Sequence, residues 1–255
     1  MIQGGFMNNE QKIIERTTRG RVRIYTWKRR PANAYAPFFL DMLCRELRRT
    51  EEEDGIACVV LKSGLPGVFS SGLDLRALTA GESCRREIFL AVRSVHRLIK
   101  QILNSRKIYI AALSGAVIGS AVSLAVACDF RMASQDTWFW LPDPQYGGLL
   151  GDGALTLMAR SFGAAAAKRL CLSNERISAE EAYRLGVIEK PDTAEKSAEQ
   201  ALLLADRLGE LSSGTLRHTK RILNRDIPVK FAARRLLNTV RDPDMLQRLA
   251  KFRLR

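Results

Sequence analysis

The chain has 255 residues, 46% of them hydrophobic, and its 41 Lys and Arg against 27 Asp and Glu give a formal charge of +14. This excludes a disordered polymer and leaves room for one large domain with a substantial core. The longest apolar run, "AVIGSAVSLAVA", has twelve residues, too few to cross a bilayer.

Taken in chain order, residues 1–20 read as a loose tail, since "MIQGGFMNNEQK" lacks the basic and apolar regions of a secretory signal. In "RVRIYTW" (21–27), Val22, Ile24 and Thr26 alternate with Arg21, Arg23, Tyr25 and Trp27, the period of a half-buried strand. "PFFLDMLCRELRRTEE" begins at Pro37 with helical spacing, and Asp54-Gly55 supplies a turn after it. "IACVVLKS" predicts a buried strand, and an amphipathic helix follows over about 82–104. "KIYIAAL" predicts the next strand, "SGAVIGS" breaks it, a helix of small residues occupies 120–127, and "DFRMAS" predicts another strand. The remainder reads as mostly helical. Ser178 to Glu181 form a capping box, and Gly186 stands where that helix ends. Strands alternating with helices predict an α/β core of mainly parallel strands over 21–200. A helical region, 201–255, then covers that core or a neighbouring subunit.

Several chemistries find no support. Cys44, Cys58, Cys84, Cys128 and Cys171 are scattered singly and only two histidines, His96 and His218, are present. That spacing argues against a zinc site or a disulfide framework and suits a reducing cytoplasm. No P-loop, G-x-G-x-x-G or H-E-x-x-H occurs. The positive charge attracts polyanions, but its short clusters carry no aromatic-interleaved nucleic-acid motif. A basic surface that helps to bind an anionic small molecule is the leading expectation, with nucleic acid the alternative.

Two runs are unusually bare. "VFSSGLDLRAL" (68–78) and "LSGAVIGSAVSLAVACDFRMAS" (113–134) place small residues where a strand or helix would carry bulk. Either alone marks only turns and close helix packing. Together they resemble the crotonase (enoyl-CoA hydratase/isomerase) family, whose segments F-[SA]-[AS]-G-x-D-[LI] and N-G-x-[AC]-x-G-G-G-x-E-L-A-x-x-C-D-x-R-[IV]-A they match in order. "ISAEEAYRLGVIEK" is similar to a third family segment, and "RRPANAY" to a fourth near its start.

The resemblance implies a crotonase-like spiral of ββα units with a helical C-terminal region, assembled as a homotrimer or a dimer of trimers. It implies acyl-CoA or acyl carrier protein thioesters as partners. Coenzyme A is then part of the substrate, and no cofactor or metal is held permanently. By alignment the backbone N–H groups of Ser71 and Ser120, beside Gly72 and Gly119, form an oxyanion hole. Arg29 and Arg30 are expected at the coenzyme phosphates, and Ser70 and Leu73 along its path. Trp138, Phe139 and Trp140 read as acyl-pocket or core aromatics, with Trp140 the candidate for substrate contact.

The family's hydratases use two glutamates. Here Ser123 occupies the first position and Asp143 the second, so two-glutamate hydration is not expected. A single carboxylate suffices to move a proton across an allylic system. The expected activity is therefore of enoyl-CoA isomerase/hydratase type, isomerisation foremost, with Asp143 as acid and base and with Asp152, between two glycines, as runner-up. Decarboxylation or other lyase chemistry on the same enolate stays open, as does a non-catalytic acyl-CoA- or RNA-binding role.

Overall fold

The computed structural model describes residues 13–79, 83–225 and 232–253. Strand β1 (Ile14–Arg19) turns through Gly20 into β2 (Val22–Trp27), and the two pair antiparallel. The stretch expected to end a loose tail is thus a strand. Its signal was hidden because only Ile14 of β1 is buried, which leaves no apolar alternation to read. Residues 1–12 lie outside the described residues.

Helix α1 (Pro37–Glu52) follows, with Pro37 in its first turn, where a missing N–H costs nothing. Then come β3 (Cys58–Ser63), β4 (Val68–Ser70), the single turn α2 (Leu75–Leu78) and the long α3 (Cys84–Asn104). The pattern repeats in β5 (Ile108–Leu113), β6 (Ala116–Ile118) and α4 (Ser120–Ala127). It recurs in β7 (Phe130–Ala133), β8 (Trp138–Trp140) and α5 (Ala154–Leu172), which is broken at Gly163. Short β9 (Ile177–Ser178), α6 (Ala179–Arg184), α7 (Ala194–Glu210), α8 (Ser213–Asn224), α9 (Ala233–Arg241) and α10 (Pro243–Arg253) complete the chain. Ser178 caps α6 through Glu181 N–H, as the capping box predicts.

Each turn of this spiral gives one strand to each of two sheets. The larger runs β1-β2-β3-β5-β7, parallel after the first pair, and the smaller runs β4-β6-β8-β9. All six residues of β5 are buried, as a central parallel strand covered on both faces requires. Alternate side chains divide the core: Tyr25, Val59, Leu61 and Tyr109 face α1, α3 and α4, while Val22, Cys58, Val60 and Ile110 face Ala201 and Ala205 of α7. Strands β4, β6, β8 and β9 were not expected from the sequence. With two or three residues each they carry no readable period, and "SGAVIGS" reads as a break.

The helical tail is fastened to this core by one enclosed charge pair. Lys220 Nζ on α8 donates to Asp129 Oδ2 at 2.7 Å and to Lys107 O at 2.8 Å, and it lies 5.1 Å from the Tyr109 ring centroid. Asp129 Oδ2 also accepts Tyr109 N–H at 2.8 Å. Removing one partner leaves a charge with no counterpart in a desolvated place. Lys220→Met should therefore destabilise the protein by about 3 kcal/mol in urea unfolding, and adding Asp129→Asn should recover part of the loss.

Candidate active site

Parallel neighbours in a sheet bring their carboxyl ends together, and ligands in α/β proteins gather at such ends. Strands β4, β6 and β8 are such neighbours and end at Ser70, Ile118 and Trp140. The segments leaving them, 71–74, 119–120 and 141–143, meet at one pocket. Ser71, Leu73, Gly119, Ser120 and Asp143 line it, and its remaining wall is largely apolar.

The two bare turns press against each other. Gly72 has φ 75, and a methyl group on it would come to 2.5 Å from Ile118 O and 3.0 Å from Ser120 N. Only glycine permits that approach in that conformation. Hydrogen-bond accounting then shows which N–H groups are free. Ser71 N–H donates to Ala32 O at 3.0 Å, and Gly72 N–H donates to Ser70 Oγ at 3.1 Å. Tyr35 bridges past the next residue, donating to Gly72 O and accepting from Asp74 N–H. Gly119 N–H donates to Trp140 O at 2.8 Å. Among the described residues, Leu73 N–H and Ser120 N–H are left without a partner. The expectation for Ser71 is thus corrected: its N–H is spent on Ala32, and the available donor stands two residues later. Ser120 lines the pocket and opens α4, whose positive N-terminal end adds to the attraction for an anion.

Asp143 begins a 3-10 turn, Asp143–Tyr146, between Pro142 and Pro144. Its backbone oxygen accepts Gly148 N–H at 2.7 Å, while its side-chain Oδ2 is buried and unpartnered among the described residues. Burial first, and then the neighbouring Asp152, push the Asp143 carboxyl up to about 7. The residue as a whole is only half-buried; the enclosed oxygen is what loses its water.

Asp152 lies behind it at 1% exposure and does not line the pocket. Its Oδ1 accepts Ala154 N–H at 3.0 Å, and its backbone oxygen lies 2.8 Å from His96 Nδ1. Burial raises this carboxyl too, opposed by the Ala154 N–H, the Ser123 hydroxyl and His96. Ser123 Oγ faces the carboxyl without reaching hydrogen-bond geometry. Both that oxygen and Asp152 Oδ2 are buried and unpartnered among the described residues. Cys171 is close enough to feel both acids: burial, then Asp143 and Asp152, push its thiol up to about 12, so it is no nucleophile at neutral pH.

Other expected site residues are placed differently. Arg29 is consumed internally, donating to Asp74 Oδ2 at 2.8 Å and Ala34 O at 2.9 Å, and is not free for a phosphate. Arg30 is exposed and makes no ion pair among the described residues. Ser70 is sealed in, donating to Asn33 O. Trp140 does not line the pocket: its Nε1 donates to Asn174 O, and Arg176 stacks on it and on Trp138. Phe139 is core. The apolar wall comes instead from Leu75, Ile88, Val92, Leu149, Leu236 and Met245. The last two belong to the C-terminal helices, which read in the sequence only as a helical region covering the core or a neighbour. Among the described residues no group of three or more His, Cys, Asp or Glu is placed to hold a metal.

The family model described as enoyl-CoA hydratase/isomerase matches residues 18–240. This chain belongs to the enoyl-CoA hydratase/isomerase (crotonase) family. It is 32% identical over 197 residues to a Bacillus subtilis protein named "Probable enoyl-CoA hydratase", covering 76% of this chain and 75% of that one. The Pseudomonas aeruginosa DspI structure is 26% identical with a TM-score of 0.77, covering 94% of this chain and 95% of that one. An enoyl-CoA hydratase from Bacillus halodurans shares the fold at a TM-score of 0.85 and 20% identity, over 94% of this chain and 99% of that one. The spiral expected from the resemblance is therefore the observed one. No helix among the described residues is long and apolar enough to cross a membrane.

If the contact of the two turns holds the crotonase pocket in shape, Gly72→Ala should keep the fold yet lower kcat about 10²-fold on an enoyl-CoA substrate. Circular dichroism and steady-state kinetics on one preparation check both halves of that expectation.

Proposed function

We propose that this crotonase-family enzyme isomerises an enoyl thioester, with Asp143 carrying the proton and the N–H groups of Leu73 and Ser120 holding the thioester oxygen. The supporting observation is that one pocket contains two unpaired backbone donors and one carboxyl poised near neutrality. Ionised Asp143 takes a proton from the carbon next to the thioester of a 3-enoyl substrate. The electron pair moves into the carbonyl, and the resulting dienolate oxygen is stabilised by the two N–H groups. Protonated Asp143 then returns the proton two carbons farther along, giving the 2-enoyl thioester with no gain or loss of atoms. Each donor of this kind contributes about 3–4 kcal/mol to lowering the barrier. A carboxyl near pH 7 is suited to accept and return a proton in one turnover.

A second reading has its own observation. Asp152 Oδ2 and Ser123 Oγ are buried and unpartnered behind Asp143, and a second carboxyl next to the first favours hydration by an aspartate pair. Incubation with 2- and 3-enoyl-CoA thioesters followed by mass spectrometry separates the two: isomerisation leaves the mass unchanged, and hydration adds one water. The proposal expects isomerisation to dominate; a product that is chiefly hydrated overturns it in favour of the pair.

Asp143→Asn keeps the shape and removes the base, so kcat should fall by about 10²-fold or more. In the wild type, kcat/KM should rise as pH climbs through about 7, where Asp143 ionises, and this limb should vanish in the variant. Stability should move the other way. A carboxyl held above its ordinary range keeps a proton in the folded protein that it loses on unfolding. Between about pH 4 and 7, stability therefore falls as pH rises. Asp143→Asn should stabilise the protein at pH 8 by on the order of 2–4 kcal/mol, and by little at pH 4, in urea titrations at both values.

A further inference from the structure

The pocket wall contains two residues from outside the spiral. Leu236 on α9 and Met245 on α10 are 2% and 5% exposed, and together with Val240 and Leu249 they pack on Leu78, Ile88, Ala91 and Val92. Both are seated against the loop that carries the two acids. A methyl on Gly147 would come to 3.2 Å from Met245 Cα, and one on Gly151 to 3.2 Å from Leu236 Cβ, so each glycine forms a notch for one of them. Hydrogen bonds reinforce the seating: Ala232 N–H donates to Gly151 O at 3.1 Å, and Arg248 Nη1 donates to Gln145 O at 3.4 Å. The C-terminal helices are thereby registered to the catalytic loop at four points.

The space left is small. About 80 Å³ of the pocket is open to the centres of water-sized groups. At about 10–15 Å³ per such group, this is room for roughly half a dozen heavy atoms. Interiors are close-packed and yield little to an extra methylene, and the two notches keep Leu236 and Met245 from withdrawing sideways along the loop.

We propose that Leu236 and Met245 set the acyl length, closing the pocket so that this enzyme takes short straight-chain acyl thioesters of about four to six carbons. The inference rests on the acyl-thioester reading above and names its substrate class. A chain beyond the limit has to displace α9 and α10 from the loop, which also disturbs the turn carrying Asp143. Overlong substrates should therefore lose affinity steeply rather than gradually.

Isothermal titration calorimetry with butanoyl-, hexanoyl-, octanoyl- and dodecanoyl-CoA tests this on the wild type, Leu236→Ala, Met245→Ala and the milder Leu236→Val. The wild type should bind the two shorter ligands and weaken by about tenfold or more for each further pair of carbons. Each alanine variant should move the limit outward by about two carbons, and Leu236→Val by less, since the space released scales with the atoms removed. Dodecanoyl-CoA binding the wild type as tightly as butanoyl-CoA overturns the proposal. So does an unmoved limit in all three variants, or in Leu236→Val if the alanine variants do not fold. Failure of every acyl-CoA to bind folded wild type overturns the acyl-thioester reading itself, and the length limit with it.

Discussion

Three short parallel strands fix everything else about this site. Because β4, β6 and β8 lie side by side and run the same way, the segments after Ser70, Ile118 and Trp140 emerge at one edge. The lateral fit is tight enough that Gly72 leaves no space for a Cβ against Ile118 O and Ser120 N. The same sheet consumes some N–H groups and spares others. Gly119 donates to the neighbouring strand end at Trp140 O, and Ser71 to Ala32, which leaves Leu73 and Ser120, both on the pocket wall, with unpaired N–H groups among the described residues. A pair of backbone N–H groups held in this way needs no reorganisation when negative charge develops between them.

The acids show how burial can hold an ordinary carboxyl near neutrality. Asp143 lies on the pocket wall but has one oxygen withdrawn from water, and Asp152 stands behind it with a similarly enclosed oxygen. Two carboxyls in one desolvated region cannot both ionise freely, which raises the one that meets the pocket into the range where it can act as both acid and base. The cost is borne by folding, because an enclosed carboxylate destabilises the native state. Lys220 with Asp129 and the buried strands of the large sheet supply stability elsewhere in the molecule.

Much of the fold was legible in the sequence because its signals are local. The periods of α1 and α3, the buried runs of β3 and β5, the small-residue helix α4 and the Ser178 cap on α6 are all present in the structure, though Glu181 pairs with Arg169 instead of closing the capping box. What was not legible depends on partners distant in the chain. Strands of two or three residues become strands only by pairing, so β6 reads as a break and β8 as a cluster of aromatics. The donor was placed at Ser71 because a glycine-rich turn does not reveal which N–H is already taken; Ala32, thirty-nine positions earlier, decides that. Arg29 looked available until Asp74 and Ala34 claimed it. Asp143 stands on the pocket wall at the position the family resemblance singles out, but the influence of Asp152 on it appears only when Gly151–Gly153 folds back behind the pocket.

On the proposed function, two backbone donors and Asp143 together generate an enolate from a thioester. The most direct measurement is proton exchange at the carbon next to the carbonyl, followed by NMR on butanoyl-CoA in deuterated water with no double bond to move and no water to add. Wild type should wash deuterium into that position, while Asp143→Asn should bind the ligand and leave it unlabelled. Wild-type protein that binds butanoyl-CoA yet leaves those protons unexchanged would contradict the account.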